Sequence, residues 1–169
     1  MCGIFGALSA AAIPEERVQA AHAVQGHRGP DGRGTRRFTV GGQELLLAHQ
    51  RLAIIDLSDA GLQPMERPGQ GCLIYNGELY NYVELRDELA AEGERFDTQS
   101  DTEVLLAALH RWGPARALGR FNWMGAFAWF DPARGRLVLA RDGASEKPLY
   151  YCLLDGRLLF ASEIKTMLT

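Results

Sequence analysis

Short apolar runs, cut apart by glycine, proline and polar turn residues, set the rhythm of this chain. Ile4 to Leu8 reads as a buried strand in which Gly3 and Gly6 permit close backbone approach. Pro14 then opens a helix with Glu15 and Glu16 at the positive end of its dipole and Val18, Ala21 and Val24 as its apolar stripe. Gly26 ends it, and residues 27–32 carry turn chemistry at almost every position. Further strands are expected at Phe38–Val40, Leu45–His49, Ala53–Asp56 and Leu73–Asn76. A helix is expected from Tyr82 to Glu92, buried through Tyr82, Leu85 and Leu89 and closed by Gly93. Ser100-Asp101-Thr102-Glu103 has capping-box spacing ahead of Val104, Leu105, Ala108, Leu109 and Trp112. The last third predicts strands at Ala126–Asp131, Leu137–Arg141, Leu149–Leu154 and Leu158–Ser162, then a terminal helical turn. Strands come in groups with a few helices between them, which is an α+β pattern of largely antiparallel sheets.

Composition narrows the function classes. The 169 residues fit one domain, and 47% hydrophobic with 23% charged residues is ordinary globular usage. A formal charge of -3 gives no footprint for nucleic acid or an anionic membrane. No apolar run approaches bilayer length. Basic residues are scattered, and only Lys147 and Lys165 are lysines. The three cysteines, Cys2, Cys72 and Cys152, form no metal-spaced pair, which points to a reducing, cytoplasmic setting and no resident metal. The apolar start lacks the basic residue of a secretory signal, so export is not expected.

Several residues could carry chemistry, each with a plainer structural explanation. Removal of Met1 would give Cys2 a free α-amino group beside its thiol, a nucleophile with its own base; free cysteines more often pack as small hydrophobes. Asn76-Gly77-Glu78 is usually a turn, yet an Asn amide and a Gly N–H could form an oxyanion hole. Arg51 at a strand end could grip a carboxylate, and Asp101 at a helix start could hold an ammonium or merely suit the dipole. His22, His27, His49 and His110 share no motif, and structural or surface roles are expected for each.

The combination is more specific than its parts. Met1-Cys2-Gly3-Ile4-Phe5-Gly6, His27-Arg28-Gly29-Pro30-Asp31-Gly32 and Leu47-Ala48-His49-Gln50-Arg51-Leu52-Ala53-Ile54-Ile55-Asp56 are followed by Gln63-Pro64-Met65 and Tyr75-Asn76-Gly77-Glu78-Leu79-Tyr80-Asn81. Ser100-Asp101-Thr102-Glu103 and Phe160-Ala161-Ser162-Glu163-Ile164-Lys165 complete the series. In this order they resemble the glutaminase domain of glutamine-dependent asparagine synthetases, class II glutamine amidotransferases with the N-terminal nucleophile hydrolase fold. The resemblance runs from Met1 to about Leu168. It implies a four-layer αββα sandwich of two largely antiparallel sheets. It further implies Cys2 as nucleophile with its α-amino group as base, and Asn76 and Gly77 as oxyanion hole. Arg51 would pair with the glutamine α-carboxylate, Asp101 and Glu78 with its α-amino group, and the backbone of Leu52 to Ile55, including Ile54, would line the substrate. Arg28, Gly29 and Asp31 would brace the nucleophile.

L-Glutamine is the implied substrate, with an asparagine-synthetase-like domain or subunit as the implied ammonia acceptor. ATP and magnesium would belong to that partner, and no cofactor to this chain. The partner's Ser-Gly-Gly-x-Asp-Ser loop does not occur in residues 1–169, so a single amidotransferase domain is expected here, either a piece of a longer protein or a stand-alone subunit. Two departures from the family pattern, Trp123-Met124-Gly125 and Gly143-Ala144-Ser145-Glu146, lie outside the glutamine-binding residues and favour the stand-alone reading. A non-catalytic scaffold and an amidase for another γ-glutamyl amide are the competing functions.

Overall fold

The computed structural model describes residues 1–54 and 58–169. Strand β1 (Gly3–Ser9) is central in a five-stranded sheet ordered β2 (Gly32–Val40), β3 (Gln43–Arg51), β1, β9 (Arg157–Ala161) and β8 (Tyr150–Leu154). A second sheet orders β4 (Met65–Arg67), β5 (Gly71–Leu79), β6 (Trp123–Asp131) and β7 (Arg136–Arg141). Every described strand pairing is antiparallel.

Side-chain alternation divides the interior into three cores. Ile4, Leu45, Leu47 and Phe160 from the first sheet meet Cys72, Ile74, Ala126 and Phe130 from the second. The opposite face of the first sheet, through Phe5, Leu46, Ala48 and Ala161, packs on Val18 and Ala21 of helix α1 (Glu15–Gln25) and on Met167 of α5 (Ile164–Met167). The outer face of the second sheet, through Leu73, Tyr75, Phe127 and Trp129, packs on α2 (Tyr82–Ala91) and α3 (Asp101–Trp112). The layers are therefore helix, sheet, sheet, helix. Strands buried on both faces read as continuous apolar runs rather than alternating ones, which is why Leu45–Ala48 and Leu73–Tyr75 are apolar throughout. Leu105, fully buried in the outermost core, is the kind of side chain whose truncation to alanine costs about 2–5 kcal/mol.

Some elements differ from the sequence-based expectation. Strand β2 begins at Gly32 rather than Phe38, because its whole length pairs with β3. β5 does not stop for a turn at Asn76-Gly77; it runs on to Leu79, paired with β6 throughout. The strand expected at Ala53–Asp56 does not form over Ala53 and Ile54, since the Ala53 N–H donates to the Asp31 carboxylate at 2.9 Å instead of to a ladder. Ile55 and Asp56 lie outside the described residues. β4 and the short helix α4 (Pro114–Leu118) had no legible pattern. Half of the expected capping box forms: Ser100 Oγ accepts from Thr102 N–H at 3.1 Å, while Glu103 turns to the N–H groups of Asp97 and Thr98.

Candidate active site

The ends of β1, β3 and β5 converge. Gly3 pairs with Gln50, which sets Cys2 beside Arg51 at the end of β3. The Cys2 thiol rests on the next peptide: Leu52 N–H donates to Sγ at 3.4 Å, and Sγ lies 3.5 Å from Leu52 O. Burial pushes the thiol up from its usual value, opposed by the Leu52 N–H. A thiol held protonated needs a base before it can attack. With Met1 in place the Cys2 nitrogen is an amide, and that base is formed only by its removal.

Arg28 and its loop brace this corner. Arg28 Nε donates to Cys2 O at 2.9 Å, and its guanidinium reaches Glu163 at 3.1 Å. Asp31 N–H donates to Arg51 O at 3.0 Å, and the Asp31 carboxylate holds Ala53. Gly29 is required by contact: a Cβ there would lie 2.5 Å from the Arg51 carbonyl carbon. Behind it, Gln50 Nε2 donates to Gly29 O, while Gln50 Oε1 accepts from His22 Nδ1 at 2.7 Å.

The free edge of β5 forms the facing wall. β4 pairs with β5 only as far as Leu73. Beyond it, Tyr75 N–H donates to Gln63 Oε1 at 2.6 Å, Tyr75 O accepts from His49 Nε2 at 3.1 Å, and Leu79 N–H donates to Asp101 Oδ2 at 3.0 Å. Backbone groups of alternate residues point to the same edge of a strand, so Gly77 N–H points this way too. The other side agrees. Gly125, opposite Gly77, spends its own N–H and C=O on Asp142, which makes Gly77–Gly125 a pair without mutual hydrogen bonds. Gly77 also has no room for a side chain, because a Cβ would sit 2.3 Å from Met124 O. Asn76 is almost fully buried, and its Nδ2 has no partner among the described residues.

The cavity between these walls is lined by Cys2, Arg51, Leu52, Ile54, Gly77, Glu78 and Asp101. Of the other sequence-predicted residues, Asn76, Arg28, Gly29 and Asp31 are not among its lining, and Ile55 lies outside the described residues. Asp101, at the start of α3, is buried, and that burial raises its carboxyl above the ordinary value; backbone N–H groups oppose the shift and the nearby Glu78 charge adds to it. Two carboxylates in one wall, one short of solvent, form an environment that a bound ammonium would relieve. Arg51, which lines the same cavity, is also buried. A larger cavity, about 390 Å³, lies across β1 beneath α1 and α5, and its lining contains neither cysteine nor histidine.

Three residues of the site region were not expected from sequence: His49 and Gln63, which hold Tyr75, and Glu163, which holds Arg28. All three sit inside motifs already quoted, but their roles depend on contacts between distant segments. The two departures also find physical reasons. The Trp123 ring lies 5.6 Å from Phe127 and 6.3 Å from Tyr75, and a Cβ on Gly125 would meet it at 2.9 Å. The large residue at 123 fills the volume that a large residue at 125 would need. In the second departure Ser145 adopts a left-handed φ of 61°, a region glycine enters without steric cost, and Asp142 accepts from the N–H groups of Glu146 and Lys147 to hold the turn.

Fold and site define a hydrolase-type α+β sandwich with a thiol at its N-terminal strand. A profile of the glutamine amidotransferase domain matches residues 1–169, and the chain belongs to that family. It is 37% identical to the glutamine-hydrolyzing asparagine synthetase 1 of Bacillus subtilis over 99% of this chain and 27% of the relative. It is likewise 37% identical to amidase chyE of Penicillium rubens over 99% of this chain and 26% of that protein. The chain therefore spans about a quarter of the length of these curated relatives. Glutamine phosphoribosylpyrophosphate amidotransferase of B. subtilis shares the fold, with a TM-score of 0.78 over 98% of this chain and 43% of that one at 21% identity. The expected αββα sandwich of two antiparallel sheets is thereby observed. Among the described residues no helix is long and apolar enough to cross a membrane.

Proposed function

We propose that this chain hydrolyses L-glutamine to L-glutamate and ammonia through a Cys2 thioester and passes the ammonia to an asparagine-synthetase-like domain or subunit. The observation that supports the reading is that one cavity is lined by a half-buried thiol, by an unpaired sheet edge and by the buried Arg51 and Asp101. Glutamine carries one anion and one cation on its headgroup, and Arg51 and Asp101 with Glu78 supply the complementary pair.

Once Met1 is removed, the Cys2 α-amine takes the thiol proton as sulfur attacks the γ-carboxamide carbon. The carbonyl oxygen becomes an oxyanion, met by the Asn76 amide and Gly77 N–H. The proton returns to the leaving nitrogen, ammonia departs and the thioester remains. Water, activated by the same amine, then cleaves the thioester to glutamate and restores the thiol. These steps use no metal or cofactor of this chain; ATP and magnesium would serve the partner.

The test is release of ammonia and glutamate from L-glutamine by protein whose Met1 removal is confirmed by mass, beside Cys2→Ala. Turnover by the first and none by the second is expected. No turnover by the processed protein, alone or with a synthetase partner, would sink the reading.

A further inference from the structure

The free edge of β5 is held by more than its neighbours in the sheet. Past the end of β4, the Tyr75 peptide has no strand to bond on that side. Its N–H is taken by Gln63 Oε1 at 2.6 Å and its C=O by His49 Nε2 at 3.1 Å. His49 belongs to β3, in the other sheet, so this bond ties the two sheets together one residue before Asn76. Gln63 is tied in turn to α3, through Nε2 to Thr102 Oγ1 at 3.3 Å, beside Asp101. Both side chains are buried, and both border the cavity that holds Cys2.

A carbonyl only accepts, so His49 Nε2 carries the proton and Nδ1 is bare; Nδ1 has no partner among the described residues. Burial drives the ring far below its ordinary value, to about 3, so it stays a neutral donor wherever the enzyme works. A histidine in this state has no proton to exchange with substrate at neutral pH. Its use is geometric.

We propose that His49 and Gln63 are positioning residues that clamp the Tyr75 peptide and thereby set the distance and tilt of the Asn76 amide and Gly77 N–H relative to the Cys2 thiol. The inference rests on the oxyanion role of Asn76 and Gly77. Donors aimed at a developing oxyanion lose effect when displaced, whereas the Arg51 and Asp101 side chains are carried by β3 and α3 rather than by the Tyr75 peptide. Loss of the clamp should therefore appear in kcat with KM largely kept.

The experiment compares Met1-processed wild type, His49→Leu, His49→Gln, His49→Asn and Gln63→Met in steady-state glutamine hydrolysis, with Asn76→Ala beside them. Gln carries an N–H at about the reach of Nε2, while Asn falls short. His49→Leu is expected to lower kcat about 10–100-fold with KM changed less than threefold. His49→Gln should recover at least tenfold of that loss and His49→Asn little. Gln63→Met should fall in kcat like His49→Leu. If His49→Leu fails to fold, the Gln-to-Asn ratio carries the test: a ratio near one overturns the proposal. Equal activity of Leu and Gln variants, or a rise in KM with kcat intact, also overturns it. If Asn76→Ala itself leaves kcat unchanged, the oxyanion reading fails; if Asn76→Ala is slow and His49→Leu is not, only the clamp fails.

Discussion

Two of the sheet edges in this molecule, β5 beyond β4 and β8, have been treated in opposite ways. On β5 beyond β4, the backbone groups are claimed one by one by side chains from distant segments, Tyr75 by Gln63 and His49 and Leu79 by Asp101, with Gly77 N–H between them. On β8 no side chain is buried: Tyr151 is 68% and Leu153 74% exposed, and the strand pairs only with β9. The first edge is buried and polar in function, the second open and apolar. A buried unpaired edge needs such partners, because each unsatisfied buried group costs about 1–3 kcal/mol. The β8 edge faces solvent and carries no such requirement.

Changes at the β5 edge should therefore act on chemistry, and changes at β8 should not. Asn76→Ala is expected to lower kcat by about 10²–10³ with a smaller change in KM, measured by steady-state ammonia release. Equal rises in KM with kcat intact would place Asn76 in ground-state binding and remove the contrast. Arg51→Ala should act next most strongly and differently, raising KM for glutamine more than it lowers kcat, because headgroup contacts exist before the transition state.

Asp101 gives a pH test of the same wall. Its carboxyl is raised by burial, and only its ionised form can pair with an ammonium. As pH falls, kcat/KM should first drop with unit slope through the α-amine of Cys2, ordinarily at about 7.7–8.0. It should then steepen as Asp101 takes up its proton, at a higher pH than an exposed aspartate would. Asp101→Asn should have a lower kcat/KM and lose the steepening; a profile that keeps it assigns the second ionisation elsewhere. Leu153→Ser on β8 is the smallest change, with glutamine kinetics unaltered and thermal stability within about 0.5 kcal/mol of wild type.

The layers of this fold were legible because two-sided burial leaves runs such as Leu45–Ala48 and helix starts such as Ser100 in plain view. The path of β5 was not. Asn76-Gly77 has the composition of a turn, and only its pairing with Ala126 and Gly125 keeps it extended. Ala53 reads as strand yet is drawn off by Asp31, 22 residues away. The site residues could be named because their motifs follow one another in a family order, whereas His49 gave no local signal. Its partner is a carbonyl in the other sheet, and a hydrogen bond across 26 residues leaves no spacing to read. The exchange of bulk between positions 123 and 125 likewise became intelligible only with the Trp123 ring in place beside Tyr75.

If the β5 edge stabilises an acyl transfer to Cys2, that acyl group can be trapped. Met1-processed protein is incubated with L-glutamine and hydroxylamine, which intercepts a thioester as the γ-glutamyl hydroxamate. Hydroxamate should form at the expense of glutamate with wild type, far more slowly with Asn76→Ala, and not at all with Cys2→Ala. Hydroxamate formation by Cys2→Ala at the wild-type rate, or glutamate release by wild type that hydroxylamine never intercepts, would contradict that acyl transfer.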